Sequence, residues 1–212
     1  MKPINFLLYI YLLSLINSSP VRRLENSLTF DNSNWTYDQS NNVYYQINVT
    51  YCGDPQNITY ETLGIYVPGE YMTCIELTSP SKYACKTNST GTKGSYTATN
   101  APFVMPVQTS GYSAMEAHTS YDYNTVSSFL EKGIIYIYAG CRGRYEGTET
   151  SNNYYMGAPW GVTDLKAAIR FLRYNAGSLP GNLNSFYTFG HSGGGAQSCL
   201  MGVTGNSELF ND

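Results

Sequence analysis

Charge is scarce in this 212-residue chain: Asp, Glu, Lys and Arg make up only 13% of it, and the formal net charge is −3. The Lys and Arg residues are scattered, with no basic run to track phosphates, which excludes nucleic acid as a partner. Histidine is scarcer still. His118 and His191 are the only two, and there is no Cys-x-x-Cys pair, so a zinc site has little to draw on. The apolar run from Phe6 to Ile16 is too short to cross a bilayer comfortably. Aromatic residues, at 15%, are plentiful, and the composition reads as one globular domain rather than a disordered or collagenous chain.

Lys2, the run Phe6 to Ile16 and the small polar residues Ser18 and Ser19 have the layout of a secretory signal peptide over residues 1–19. An uncleaved anchor is the competing reading, and Asn17-Ser18-Ser19-Pro20 leaves the cleavage point open. Residues 20–212 then form a secreted, extracellular domain with no membrane contact after cleavage. Four sequons, at Asn34, Asn48, Asn57 and Asn88, all precede residue 100 and would mark the N-terminal third as exposed if glycosylated. Five cysteines in an oxidising compartment suggest disulfides, with one among Cys52, Cys74 and Cys85; the odd count leaves one without a partner.

Residues 19–42 are polar and read as an irregular lead-in. Val43, Tyr45, Ile47 and Val49 alternate against Tyr44, Gln46 and Asn48, which predicts a half-exposed strand, and Leu63 to Val67 predicts another. The polar stretch 78–100 reads as a long surface loop. Phe103 to Gln108, Gly133 to Tyr138 and Phe186 to Phe189 are apolar on both faces, as strands of a covered parallel sheet are. The change from alternation to continuous runs puts antiparallel strands first and a parallel core after them. Between the last two strands, Thr163 can cap a helix, Asp164 suits its first turn, and Leu165, Ala168, Ile169 and Leu172 form an apolar stripe ending near Gly177.

The stretch Asn184 to Leu200 organises the rest. Strand formers lead to Gly190-His191-Ser192-Gly193-Gly194, which fits G-x-S-x-G, and Ala196, Leu200 and Val203 then recur at helical spacing. A serine on a strained strand-to-helix turn holds its hydroxyl clear of the backbone, and Gly190 and Gly194 remove side chains that would strike neighbouring elements. The helix N-terminus adds free N–H groups and partial positive charge, which suit an oxyanion.

This segment resembles the nucleophile elbow of the α/β-hydrolase superfamily, with Ser192 in the nucleophile position. The resemblance implies an α/β fold with helices on both faces of the sheet, one oxyanion donor at the N–H of Gly193, and a second near Gly111 or Tyr112 in the loop after the third strand. Gly140-Cys141-Arg142-Gly143-Arg144 resembles the arginine-bearing turn of many such enzymes, where the guanidinium is expected to serve structure. With Gly157 to Ala168 and His191 to Ala196, the stretch Ala101 to Gly205 most resembles secreted carboxylesterases of the tannase and feruloyl esterase kind. That implies a small ester or a plant-polymer-linked acyl group as substrate, and no cofactor.

The superfamily orders its triad as Ser, then Asp or Glu, then His. After Ser192 this sequence has no histidine, and Glu208 and Asp212 are its only acids. His191 should leave the turn in another direction, and His118, which precedes the elbow, reads as a surface or loop residue. The sequence therefore reads as the nucleophile part of a longer hydrolase, truncated after the nucleophile helix and nearly inert alone. Two alternatives compete: a non-catalytic, carbohydrate-binding glycoprotein using its 21 tyrosines, and a peptidase of prolyl-oligopeptidase type, for whose propeller there is no room.

Overall fold

The computed structural model describes residues 28–77, 81–144 and 158–210. The expected signal peptide at residues 1–19 lies outside the described residues. Six strands form one mixed sheet in the order β1-β2-β3-β9-β8-β10, with β1 at Thr36–Asp38, β2 at Val43–Thr50, β3 at Thr62–Pro68, β8 at Phe103–Val107, β9 at Ile135–Ala139 and β10 at Phe186–Gly190. Strands β1, β2 and β3 pair antiparallel, β3 meets β9 antiparallel, and β9, β8 and β10 are mutually parallel. The antiparallel half thus precedes the parallel core, as the hydrophobic patterning indicated. This is an α/β fold.

Every residue of β3, β8 and β9 is buried. Each lies inside the sheet with both faces covered, and each apolar side chain removed from water contributes about 1.5–3 kcal/mol. By contrast, β10 is an edge strand, and Tyr187 and Phe189 remain 62% and 47% exposed. Strand β2 is half-exposed as expected, but its alternation does not hold: Gln46, assigned to the polar face, is buried and donates to the Asp31 carbonyl, and a bulge between Gln46 and Val49 carries Asn48 at φ 58°.

Helices α1 (Tyr123–Leu130), α2 (Ala158–Tyr174) and α3 (Gly193–Thr204) take both faces. Phe129 of α1 packs on Tyr136 and Phe189, which alternate onto one face. Phe186 and Thr188, on the other, share a cleft with Lys166 and Ile169 of α2 and Met201 of α3.

Several local expectations need correction. The lead-in holds β1 and the fully buried Trp35. The stretch 78–100 is not one loop: β5 (Tyr83–Thr87) pairs with β4 (Met72–Glu76), and β6 (Thr92–Lys93) pairs with β7 (Tyr96–Thr97). The disulfide expected among Cys52, Cys74 and Cys85 does form, between Cys74 and Cys85, directly opposite on the first hairpin, but three cysteines rather than one, Cys52, Cys141 and Cys199, remain as thiols. Helix α2 begins at Ala158, ahead of Thr163, with Pro159 in its first turn, where a missing N–H costs nothing. The Thr163 hydroxyl donates back to the Pro159 carbonyl instead of capping. The stripe Ala196, Leu200 and Val203 faces solvent, while Gly193, Gly194, Gln197 and Met201 are the buried side of α3.

Candidate active site

Strand β10 ends at Gly190 beside the last residue of β8, Val107. A β-carbon at Gly190 or Gly194 would overlap the Val107 carbonyl oxygen, so the chain can turn here only without side chains at those two positions. Between them Ser192 sits at φ 55°, ψ −123°, a conformation that side-chain-bearing residues rarely adopt. Its side chain is exposed at the N-terminus of α3. No side chain among the described residues hydrogen-bonds its Oγ.

The loop after β8 wraps this turn. Thr109 is fully buried, and Ser110–Tyr112 makes one 3-10 turn in which Gly111 and Tyr112 have φ of 61° and 63°. A β-carbon on Gly193 would lie 2.8 Å from the Tyr112 nitrogen and 3.3 Å from the Gly111 nitrogen, so the loop amides and the helix start converge beside Ser192. Tyr112 donates its N–H to the Thr109 carbonyl at 3.0 Å. The Gly111 N–H has no acceptor among the described residues, and Gly193, first in its helix, has no intrahelical acceptor. The free amides beside Ser192 therefore include those of Gly193 and Gly111.

Neither histidine joins Ser192. His191 is exposed on the turn, and His118 stacks on Tyr138 at 3.8 Å between centroids with its Nδ1 2.7 Å from the Tyr66 hydroxyl. Burial lowers the His118 pKa, with the Asp122 carboxylate opposing. This histidine belongs to an aromatic cluster on the sheet, not to the turn.

Arg142 is built into the interior. Its backbone N–H and guanidinium both donate to Asp164, at 2.7 and 2.6 Å, while Nη1 donates to Gln56 and Nη2 lies 3.6 Å from Glu61. The Trp160 ring covers it at 4.3 Å. The three charged groups are at most 3% exposed, so they pair with one another out of water and lock the end of β9 to α2 and to the loop before β3. Asp164 is thus a buried ion-pair partner on the second turn, not the first-turn dipole residue its position suggested. Cys52, 3.6 Å from Glu61, has its pKa pushed up to about 12 by burial and that carboxylate.

Sequence reasoning missed Gln197. It is 2% exposed, one turn into α3, and its Oε1 accepts from the Thr109 hydroxyl at 2.6 Å. A polar residue on the glycine side of a helix otherwise poor in polar groups was the available signal. A cleft of about 840 Å3 beside α2, lined by Tyr51, Cys52, Glu61, Arg142, Trp160 and Phe171 among others, includes none of Ser192, Gly193 and Gly111. Among the described residues no group of three His, Cys, Asp or Glu could hold a metal ion. Of the sequons, Asn34 and Asn48 are exposed, Asn57 is half-buried, and Asn88 donates its side-chain amide to the Glu70 carbonyl at 3.0 Å.

The family model described as BD-FAE matches residues 93–212. A tannin acyl hydrolase from Lactobacillus plantarum superposes with a TM-score of 0.67 and 29% identity, over 88% of this chain and 39% of that one. A Fusobacterium nucleatum tannase gives 0.63 and 32%, over 79% and 33%. A tannin acyl hydrolase solved in complex with ethyl gallate gives 0.66 and 29%, over 88% and 40%. The chain spans one third to two-fifths of the length of these solved tannases. None of the curated proteins matches it.

Proposed function

Because the chain belongs to the BD-FAE family of esterases, we propose that it carries the nucleophile half of a secreted carboxylic ester hydrolase, with Ser192 as the nucleophile. One observation carries the reading: a strained, exposed serine hydroxyl at a helix N-terminus, with two unpaired backbone amides beside it. In this reading Oγ attacks the ester carbonyl as a base takes its proton. The N–H groups of Gly193 and Gly111 receive the developing oxyanion; Tyr112, whose N–H is committed to Thr109, positions the loop instead. Collapse expels the alcohol with the base's proton, and water then releases the acid from the acyl-serine.

The base and its orienting acid come from chain beyond these 212 residues. Exposed Tyr187 and Phe189 on β10 and Leu200 and Val203 on α3 offer apolar surface for that chain to cover. The ethyl gallate complex of a neighbour supports a phenolic ester, small or attached to a plant polymer, as substrate. The layout of residues 1–19, the Cys74–Cys85 disulfide and the exposed sequons Asn34 and Asn48 support an extracellular, glycosylated product. Incubating the complete protein with a fluorophosphonate should add one label, mapped by peptide mass spectrometry to Ser192. Labelling elsewhere, or none, would refute the assignment.

A further inference from the structure

The loop that brings Gly111 to Ser192 is held in a costly shape. Gly111 takes its positive φ without strain, but Tyr112, at φ 63°, carries a side chain into the left-handed region, and such backbone persists only where its surroundings over-determine it. Its bonds run mostly within the loop or to the neighbouring turn: Tyr112 N–H to the Thr109 carbonyl, Ser113 N–H to the Ser110 carbonyl, Gln108 N–H to Met115 Sδ, and Arg144 N–H to the Tyr112 carbonyl. One reaches the nucleophile helix. The Thr109 hydroxyl donates to Gln197 Oε1 at 2.6 Å, and the two residues are 0% and 2% exposed, so water does not compete for the bond. Gln197 is in contact on its other side as well, since its Nε2 lies against Gly161 at the start of α2, where a β-carbon would push it aside.

We infer that Thr109 and Gln197 are positioning residues for acyl transfer: their buried hydrogen bond clamps the loop after β8 to α3 and so sets the distance between the Gly111 N–H and Ser192. This rests on the reading of Ser192 as the nucleophile. Neither side chain touches the ester. A donor aimed at an oxyanion tolerates little displacement, and a shift of roughly 1 Å in catalytic geometry reduces turnover about a hundredfold.

Thr109→Val keeps the shape of the side chain and exchanges only its hydroxyl for a methyl, whereas Thr109→Ser keeps the hydroxyl. In the complete protein acting on ethyl gallate, Thr109→Val should lower kcat by about tenfold to a hundredfold with KM within about threefold, and Thr109→Ser should restore kcat to within about threefold. Amide hydrogen exchange over residues 108–116 should quicken by at least about tenfold in Thr109→Val and not in Thr109→Ser. Wild-type kcat with wild-type exchange in Thr109→Val would overturn the inference. So would a serine variant as impaired as the valine one, since the retained hydroxyl would then restore nothing. Ester turnover surviving Ser192→Ala would instead defeat the functional reading, and the exchange comparison would still decide whether the clamp exists.

Discussion

Two glycines of α3 make opposite predictions from one substitution. At Gly194, a β-carbon would lie 2.9 Å from the Val107 carbonyl carbon, closer still to its oxygen, and 3.4 Å from the Thr109 nitrogen. Carbon atoms in contact prefer about 3.5–4.0 Å, and the obstructing atoms are all backbone, so no rotamer change relieves the overlap. The end of β8 must retreat by something like 1 Å, carrying the loop after it. Overpacking of this kind costs about 1–3 kcal/mol, and rigid neighbours put Gly194→Ala near the upper end. At Gly202, two turns on, a β-carbon would meet nothing within 4 Å, and alanine is preferred over glycine in a helix by up to about 1 kcal/mol. The pair should therefore differ by about 4 kcal/mol, displacing their urea midpoints by on the order of 1 M or more. Turnover should collapse in Gly194→Ala and survive in Gly202→Ala. If Gly194→Ala proves as stable as Gly202→Ala, the close crossing of α3 over β8 is wrong.

Asp164→Ala removes the carboxylate nearest the buried Arg142 guanidinium and leaves Glu61, 3.6 Å away, as its counter-charge, so unfolding free energy should drop by about 3–5 kcal/mol in chemical denaturation. Burial holds the His118 pKa below the ordinary 6.5, so the unfolded chain binds more protons below that pH. Stability should be fully present above about pH 6.5 and fall as the pH drops towards the lowered value, by at most about 1.4 kcal/mol per pH unit, and His118→Gln should flatten that segment of the stability–pH curve. Among the thiols, exposed Cys199 should react first with a disulfide reagent; Cys52, with its pKa near 12, and buried Cys141 should lag, as timed cysteine mapping by mass spectrometry would show.

The strongest parts of the fold were legible because burial on both faces leaves a simple mark. Phe103 to Val107 and Ile135 to Ala139 are apolar throughout, and both became inner strands. Phe186 to Phe189 carried the same mark, and its place at an edge was expected too, for a sequence read as the nucleophile part of a longer sheet. Helix α1 escaped notice: only Val126 and Leu130 are buried in eight residues, too few for a period. The buried side of α3 was read backwards because glycine scores as neither apolar nor polar. There the buried side is largely backbone, which packs closely where side chains cannot. At the site, the turn around Ser192 followed from local pattern. The pairing of Arg142 with Asp164 across 22 residues, and of Thr109 with Gln197 across 88, depends on folded proximity that no spacing rule encodes.

The claim on which the rest depends is that the Ser192 hydroxyl attacks the ester. Its most direct test is ethyl gallate hydrolysis by the complete protein and by its Ser192→Ala variant at matched folding. Loss of the nucleophile should lower kcat by on the order of a millionfold, to background. A variant that retains even about a tenth of the parent's turnover would place the chemistry elsewhere.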